Sequence, residues 1–275
     1  MIESVTRRAL APILFSLTAA AGMAQDATAP APRNPEGSRI INFPSGDVPA
    51  AGTLGVLFTH RFAQPLEDSD WHSLLSFDSG ADIGIGASYV PLQNLEVAAD
   101  RSSNQDDWEI GLKYRLFERS ASFPLSVALR TGMNIRTEIF VDRENTYFAQ
   151  GIAGVAIGPR IRVTVIPTWV SRTAGTPFVS QPQEDAFNVF GALAVSLSRT
   201  VNLQGEVIPR RGRFGSPGVG WIAAIEKTVL RHRFAFTVGN VRNTTVDQYI
   251  ASDFNGLSPH EYYIGFNLAR SWKLK

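Results

Sequence analysis

The strongest constraint on this chain is the run DDWEIGLKYRLFE at residues 106–118. From Trp108 onward every second residue is apolar, and the residues in between include Glu109, Lys113 and Arg115. This is the period of a β-strand, whose side chains point to opposite faces in turn. One face of the strand must therefore meet an apolar environment, while the other carries three charges.

The same period recurs along the chain after a weaker alternating run at 39–44. The predicted strands cover 52–62, 80–90, 94–101, 107–117, 123–136, 145–158, 160–170, 186–198, 201–210, 219–229, 231–240 and 262–273. Their connections alternate between short turns and longer polar loops, as in outer-membrane barrels with tight periplasmic turns and extended external loops. The pattern predicts an all-β fold for residues 39–275, a transmembrane antiparallel up-and-down β-barrel of about twelve strands.

Large aromatic residues distinguish a membrane barrel from a soluble one, because both alternate. On the apolar face they fall in two groups, one at each end of the strands, as expected at the two membrane interfaces. Trp108, Trp169, Phe187, Trp221 and Tyr262 lie at the long-loop end, and Tyr89, Phe123, Phe234 and Trp272 lie at the short-turn end. Lipid therefore meets the apolar face, and each Arg or Lys turned to the bilayer midplane would cost roughly 2–4 kcal/mol.

Charged residues of the polar face are the candidate functional residues, because they are expected to line the lumen. They are Asp82, Glu96, Asp100, Glu109, Lys113, Arg115, Arg130, Arg136, Arg160, Arg162, Glu206, Glu226 and Arg233. Such a mixed set either closes the interior through ion pairs or lines a selective pore. Arg and Lys together are in modest excess over the acidic residues, which predicts a preference for anions.

The N-terminus reads as a secretory signal peptide over residues 1–24. Arg7 and Arg8 precede an apolar stretch, and Gly22-Met23-Ala24 has the small residues of a cleavage site. The apolar stretch is short for a spanning helix and contains Pro12. Residues 25–38, rich in Ala and Pro, predict a flexible periplasmic tail.

Composition and motifs argue against several chemistries. The 275-residue chain has no Cys and a net charge of +1, so disulfides, thiolate metal sites and nucleic-acid binding are not expected. The glycines of GADIGIG lie within a strand and open no helix, so no dinucleotide cofactor is predicted. The acidic run 67–70 lacks the spacing of a calcium loop, and we predict no metal. The basic run 210–215 either meets lipopolysaccharide phosphates or is simply solvated.

An outer-membrane phospholipase would need a Ser and a His on the outer wall. Of the four His, only His60 sits on the apolar face near the long-loop end. The predicted neighbours at that level, Ala81 and Tyr262, supply no Ser nucleophile. We therefore expect no enzymatic activity and interpret His60 as an interfacial residue.

The run 77–117 resembles a family of bacterial outer-membrane barrels of unknown function. The residues that carry the resemblance are Phe77, Asp78, Gly80, Ala81, Ile83, Gly86, Tyr89, Lys113, Tyr114, Arg115 and Leu116. Segments 39–62 and 262–273 are also similar to that family. The resemblance implies an outer-membrane barrel and no activity. Barrel proteins commonly end in an aromatic residue read by the insertion machinery, whereas this sequence ends in Lys275.

These observations favour a pore or transporter for small polar solutes in a Gram-negative outer membrane. The alternatives are a structural or surface-interaction barrel with a plugged lumen, a soluble periplasmic lipid-binding barrel and, last, a phospholipase-like hydrolase. The expected partners are outer-membrane lipid, lipopolysaccharide and the barrel-insertion machinery.

Overall fold

A computed structural model describes residues 38–120, 122–137, 144–173, 184–209, 219–251 and 261–274. Its wall consists of twelve strands. They are β1 (Thr53–Phe62), β2 (Ala81–Leu92), β3 (Leu95–Ser102), β4 (Asp107–Phe117), β5 (Leu125–Arg136), β6 (Glu144–Ile157), β7 (Ile161–Thr173), β8 (Glu184–Ser196), β9 (Val201–Pro209), β10 (Val219–Val229), β11 (His232–Gly239) and β12 (Tyr263–Lys273). The predicted signal peptide, nearly all of the predicted tail and the basic run 210–215 lie outside the described residues.

The strands form a closed barrel in which each strand pairs with its neighbours in sequence. β1 closes the barrel by pairing antiparallel with β12, in a register that places His60 opposite Phe266. Closure leaves no sheet edge, so every strand can satisfy its backbone hydrogen bonds within an apolar solvent. The predicted up-and-down topology and strand number are confirmed.

The two faces of β4 separate as its alternation predicts. Trp108 and Leu112 are 42% and 49% exposed on the outside, whereas Glu109 and Lys113 are 3% and 4% exposed on the inside. Cross-strand partners on β3 follow the same pattern, because Val97 pairs with Leu112. The outer wall is therefore a continuous apolar surface, which is the reverse of what a soluble barrel presents to water.

Short turns join the strands at one end of the barrel, which we call the short-turn end. In the β6–β7 turn Gly158 has a φ of +61°, a conformation that glycine adopts without strain. The opposite end, which we call the long-loop end, carries the connections from β1 to β2 and from β11 to β12. This alternation of connection lengths is the one that the sequence predicts.

Two segments fill the interior. The first, which we call the lumen hairpin, is residues 38–46, and it enters from the short-turn end. Ile40 N donates to Phe43 O at 2.9 Å, Ser45 N donates to Ser38 O at 2.7 Å, and Arg39 forms a bridge with Pro44. The weaker alternating run 39–44 is therefore part of this hairpin and is not a wall strand.

The second segment, which we call the infolded segment, is residues 240–251 and enters from the long-loop end. It contains the short helix α1 (Val246–Ala251), in which Tyr249 N donates to Thr245 O at 3.0 Å. Val246 and Tyr249 are buried. Across the residues described, no helix has the length and hydropathy needed to cross a membrane.

Candidate functional site

Glu206 of β9 holds the tip of the lumen hairpin. Its Oε1 accepts hydrogen bonds from the backbone N–H groups of Ile41 at 2.8 Å, Asn42 at 3.0 Å and Phe43 at 2.8 Å. Hydrogen bonds to an ionised group are stronger than those between neutral groups. A tight turn exposes several N–H groups together, so one buried carboxylate can satisfy three of them.

Lys113 of β4 holds the base of the same hairpin. Its Nζ donates to the carbonyl oxygens of Ser38 at 3.1 Å and Asp47 at 2.9 Å, and it forms a 2.9 Å ion pair with Glu96. A third, longer contact of 3.4 Å reaches Ser45 O. Both ends of the hairpin therefore meet at one ammonium group.

Arg39 places a guanidinium among wall carboxylates. It is hydrogen-bonded to Asp100 and lies 3.8 Å from Glu109 Oε1, which also pairs with Arg130. Burial lowers the pKa of Arg39, but Asp100 and Glu109 outweigh that effect and raise it above its usual value. The hairpin is thus bound to β3, β4 and β5 by a charged network.

The infolded segment uses the same network. Glu109 Oε2 accepts a 2.6 Å hydrogen bond from Val246 N at the start of α1. Asp247 forms a 2.8 Å ion pair with Arg136, and Thr245 Oγ1 donates to Asp107 Oδ2 at 2.5 Å. Glu109 is consequently the one described carboxylate that contacts both segments and the wall.

The hairpin and the infolded segment also touch each other directly. Asn42 Nδ2 lies 3.4 Å from Asn243 O, and the Phe43 ring lies 5.2 Å from the Tyr249 ring. Phe43 stacks at 5.0 Å on Phe190 of β8. The lumen is therefore closed at mid-height by segments that come from opposite ends.

The wall facing Phe43 carries large apolar side chains on its inner side, interspersed with uncharged polar residues such as Gln150 and Thr168. Inward residues of β6, β7 and β8 that are buried include Phe148, Ile152, Ile166, Val170 and Phe190. They form one apolar cluster with hairpin residues Ile40, Ile41 and Phe43. We call this side the apolar half, and we call the side formed by β2 to β5 the charged half.

Most of the predicted lumen residues lie on the inner side of the wall. Asp82 accepts from Ser102, Arg233 pairs with Glu226 at 2.6 Å, and Arg162 lies 3.4 Å from Asp47. Buried or largely buried members are Asp82, Glu96, Asp100, Glu109, Lys113, Arg115, Arg130, Arg136, Arg162, Glu206, Glu226 and Arg233. Those brought together around the two segments are Glu96, Asp100, Glu109, Lys113, Arg130, Arg136 and Glu206.

Arg160 corrects that prediction. It is exposed in the turn before β7, because β7 begins one residue later at Ile161. A residue in a turn does not share the strand's alternation, so its parity does not place it in the lumen.

Sequence reasoning missed Arg39, Arg61 and the apolar half. Arg61 is 1% exposed and donates to Asn42 Oδ1 at 3.0 Å and to Asn267 Oδ1 at 2.8 Å. Arg61 alternates with the outward aromatic residues of β1, and this alternation indicates that its side chain points inward. The apolar half has no such signal, because large apolar residues occur on both faces of β6 and β8.

Small cavities remain around the lumen hairpin. One of about 80 Å³ lies between it and the wall, lined in part by Gly55, Gly86, Asp100, Glu226 and Arg233. Another of about 410 Å³ opens at the short-turn end, beside Asp47, Arg115, Arg119 and Lys273. These two cavities lie at the short-turn end and along the side where wall residues such as Gly55 and Gly86 are small.

The outer wall around His60 carries an aromatic cluster. The His60 ring stacks on Phe266 at 5.0 Å, and its cross-strand partners are Ile83 and Phe266, neither of them a nucleophile. In the acidic run 67–70, Glu67 Oε2 accepts from Tyr262 N, and Asp70 Oδ1 accepts from two loop amides. Across the described ranges, no group of three or more His, Cys, Asp or Glu is arranged to hold a metal.

A closed twelve-stranded barrel with an apolar outer wall and a polar, filled lumen defines a membrane β-barrel protein. The chain belongs to the family described as "Membrane bound beta barrel domain (DUF5777)", whose model matches residues 36–272. The predicted membership of a membrane β-barrel family of unknown function is confirmed. Comparison with curated protein sequences finds no significant match.

Solved structures resemble the chain in strand arrangement. Outer membrane phospholipase A from Escherichia coli is 10% identical over 79% of this chain and 89% of its own, with a TM-score of 0.43. The NanC porin is 9% identical over 80% of this chain and 100% of its own, with a TM-score of 0.47. CdiB from Escherichia coli is 11% identical over 82% of this chain and 64% of its own, with a TM-score of 0.40. No activity follows from likenesses of this degree.

Proposed function

We propose that this protein is an outer-membrane barrel that passes small polar solutes when its lumen hairpin withdraws toward the periplasm. The observation that carries the proposal is the way in which the lumen is closed. The hairpin enters and leaves at the same end, because Ser38 O and Asp47 O both bind Lys113 Nζ. A segment of this kind can leave as one unit without threading through the barrel.

The infolded segment differs in this respect, because in the chain it lies between β11 and β12, two wall strands that pair with each other. Its contacts with Glu109 and Arg136 are made directly with the wall. Withdrawal of the hairpin would therefore leave it in place as a constriction. Small solutes fit this arrangement better than large ones.

The polar character of the solute follows from the charged half, along which the path would run. The predicted anion preference rested on a modest excess of basic over acidic residues. Arg160 is exposed, and the inward cations Arg39 and Arg61 are matched by the buried carboxylates of Asp107 and Asp247. Basic and acidic groups are then equal in number among these residues, so we propose no preference for one sign of charge. A transport role is the function that this interior supports best.

A permanently closed structural barrel is the second candidate. The contacts of Phe43 with Phe190 and Tyr249 favour it, because an aromatic cluster resists withdrawal of the hairpin. The two candidates differ in one measurable property, the conductance that appears when the hairpin is released.

A disulfide can lock the hairpin in the lumen. A Cβ built on Gly46 would lie 3.2 Å from Ser126 Cβ on β5, and a disulfide needs about 3.5–4.5 Å between Cβ atoms, so a small shift suffices. The natural sequence contains no Cys, so the two introduced Cys residues can pair only with each other within the chain. The oxidised G46C/S126C double variant should show no openings in planar bilayers, and reductant should restore the openings of the wild type. S126C alone, treated with the same oxidant, is the control.

Variants that release the hairpin test the opposite outcome. E206A should raise the open fraction above that of the wild type, because three backbone N–H groups lose their acceptor. The transport proposal fails if the folded E206A/K113M variant remains as closed as the wild type, and the structural candidate then stands. It also fails if the oxidised disulfide variant conducts like the wild type.

A further inference from the structure

The loop between β1 and β2 exposes an apolar cluster, which we call the apolar knob. It consists of Trp71, Leu74, Leu75 and Phe77, whose exposed fractions are 80%, 58%, 41% and 51%. Four large apolar side chains within seven residues are unusual on a loop that only meets water, since contiguous apolar patches mark interaction surfaces.

The knob is held in a defined conformation. Asp70 Oδ1 accepts from His72 N at 2.8 Å and from Ser73 N at 3.1 Å. Residues 74–76 have successive φ values of 46°, 54° and 77°, which non-glycine residues rarely adopt. Strain of this kind persists only where surrounding contacts enforce it, so the side chains are presented outward by a built structure.

The loop lies over the outer wall. Phe62 points outward from the end of β1, yet it is only 6% exposed, because Phe77 packs edge-on against it with ring centroids 5.0 Å apart. Leu66 N donates to Tyr262 O at 2.7 Å, and the Tyr262 ring lies 5.7 Å from Trp221. The knob therefore continues the aromatic belt of the long-loop end.

We propose that the apolar knob inserts into lipid of the external leaflet, at the boundary between headgroups and acyl chains. The continuity of the knob with the lipid-facing wall favours lipid over a protein partner. Acidic residues 67, 68, 70 and 78 on the same loop hold the insertion at that shallow depth, because carboxylates stay with water. This inference rests on the outer-membrane orientation proposed above and not on gating.

The absence of Cys allows one reporter dye to be placed at a time. W71C, labelled with an environment-sensitive dye and reconstituted in phosphatidylcholine vesicles, reports on the knob. D68C is the matched control on the acidic side of the loop, and L112C is the reference on the lipid-facing wall. The quenchers are iodide in the water and a lipid with a nitroxide on its acyl chain, placed near the headgroup end for positions 68 and 71 and near the methyl end for position 112, which lies at mid-strand in β4.

The dye at position 71 should be quenched by the nitroxide lipid and should be several-fold less sensitive to iodide than the dye at position 68. Equal iodide quenching at both positions would overturn the inference, and so would a dye at 71 that neither quencher reaches. L74C gives an independent reading of the same cluster. If the dye at 112 is also untouched by the nitroxide lipid, the membrane orientation itself fails, which separates the two failures.

Discussion

The charged half and the apolar half of the lumen bind the same hairpin in different ways. Arg39 meets Asp100 and Glu109 on the charged half through directional contacts between ionised groups. Phe43 meets Phe190 on the apolar half through a ring contact that depends mainly on volume. The charged half therefore determines where the hairpin sits, and the apolar half fills the space that remains.

The difference has an energetic consequence. A buried ion pair adds little net stability, but removing one partner leaves the other charged and unpaired. An apolar contact loses stability in proportion to the atoms removed. Removing a buried charge from the charged half should thus cost more stability than removing a buried methylene from the apolar half. The four predictions below test this difference and the individual contacts that hold the hairpin.

The largest effect is expected for Glu109→Ala. Arg130 and the N–H of Val246 lose their shared acceptor, and Arg39 loses a nearby carboxylate. The free energy of unfolding, measured by urea titration in detergent, should fall by about 3–5 kcal/mol. Glu118→Ala is the control. The Glu118 side chain, which forms an ion pair with Arg115, is 64% exposed, so this pair should contribute less than about 1 kcal/mol to the free energy of unfolding. Equal losses in the two variants would contradict the comparison.

A smaller, local effect is expected for Glu206→Ala. The amides of Ile41, Asn42 and Phe43 lose a charged acceptor, worth about 1.5–3 kcal/mol for hydrogen bonds to charged groups. Hydrogen exchange at these amides should accelerate while exchange in the wall strands stays unchanged. Unchanged protection of the three amides would mean that Glu206 does not hold the hairpin.

In the apolar half, Ile166→Val should lower the free energy of unfolding by only about 0.5–1.5 kcal/mol, because one buried methylene is removed and no polar group is left unpaired. The same urea titration measures it. A loss as large as that of Glu109→Ala would show that the two halves do not differ in the way described here.

The smallest effect on global stability is expected for Gly86→Ala. The added Cβ would lie 1.9 Å from Asp100 Oδ1 and would displace the end of that side chain from Arg39. Alanine stabilises a strand by roughly 0.5–1 kcal/mol relative to glycine, which offsets part of the lost contact. Hydrogen exchange at the Ile40 amide should still accelerate. If exchange at this amide does not change, Asp100 does not help to hold the hairpin.

Sequence alone predicted the wall closely where the two faces differ in polarity. In β4 the predicted and observed bounds coincide at residues 107–117, because Glu109, Lys113 and Arg115 alternate with large apolar residues. In β6 the prediction could not assign faces, since Ala and Gly occur on both. The structure turns Phe148 and Ile152 of that strand inward, and no local pattern marks them.

The contents of the lumen escaped prediction for a related reason. Residues 39–44 alternate weakly and read as a marginal strand, and Val246, Tyr249 and Ile250 are too few to indicate a helix by periodicity. Their positions depend on Glu206 and Glu109, which are more than 130 residues away in sequence. Such pairings have no signature within a short window.

What the sequence determined by itself is the closed wall and the direction of its faces, because a period of two is local and the cost of exposing charge to lipid enforces it. What only the tertiary structure decided is how the cylinder is filled. Buried carboxylates accept hydrogen bonds from, and the buried ammonium group donates them to, the backbone groups that closure of the barrel brings close. These partners lie across the lumen and are distant in the chain.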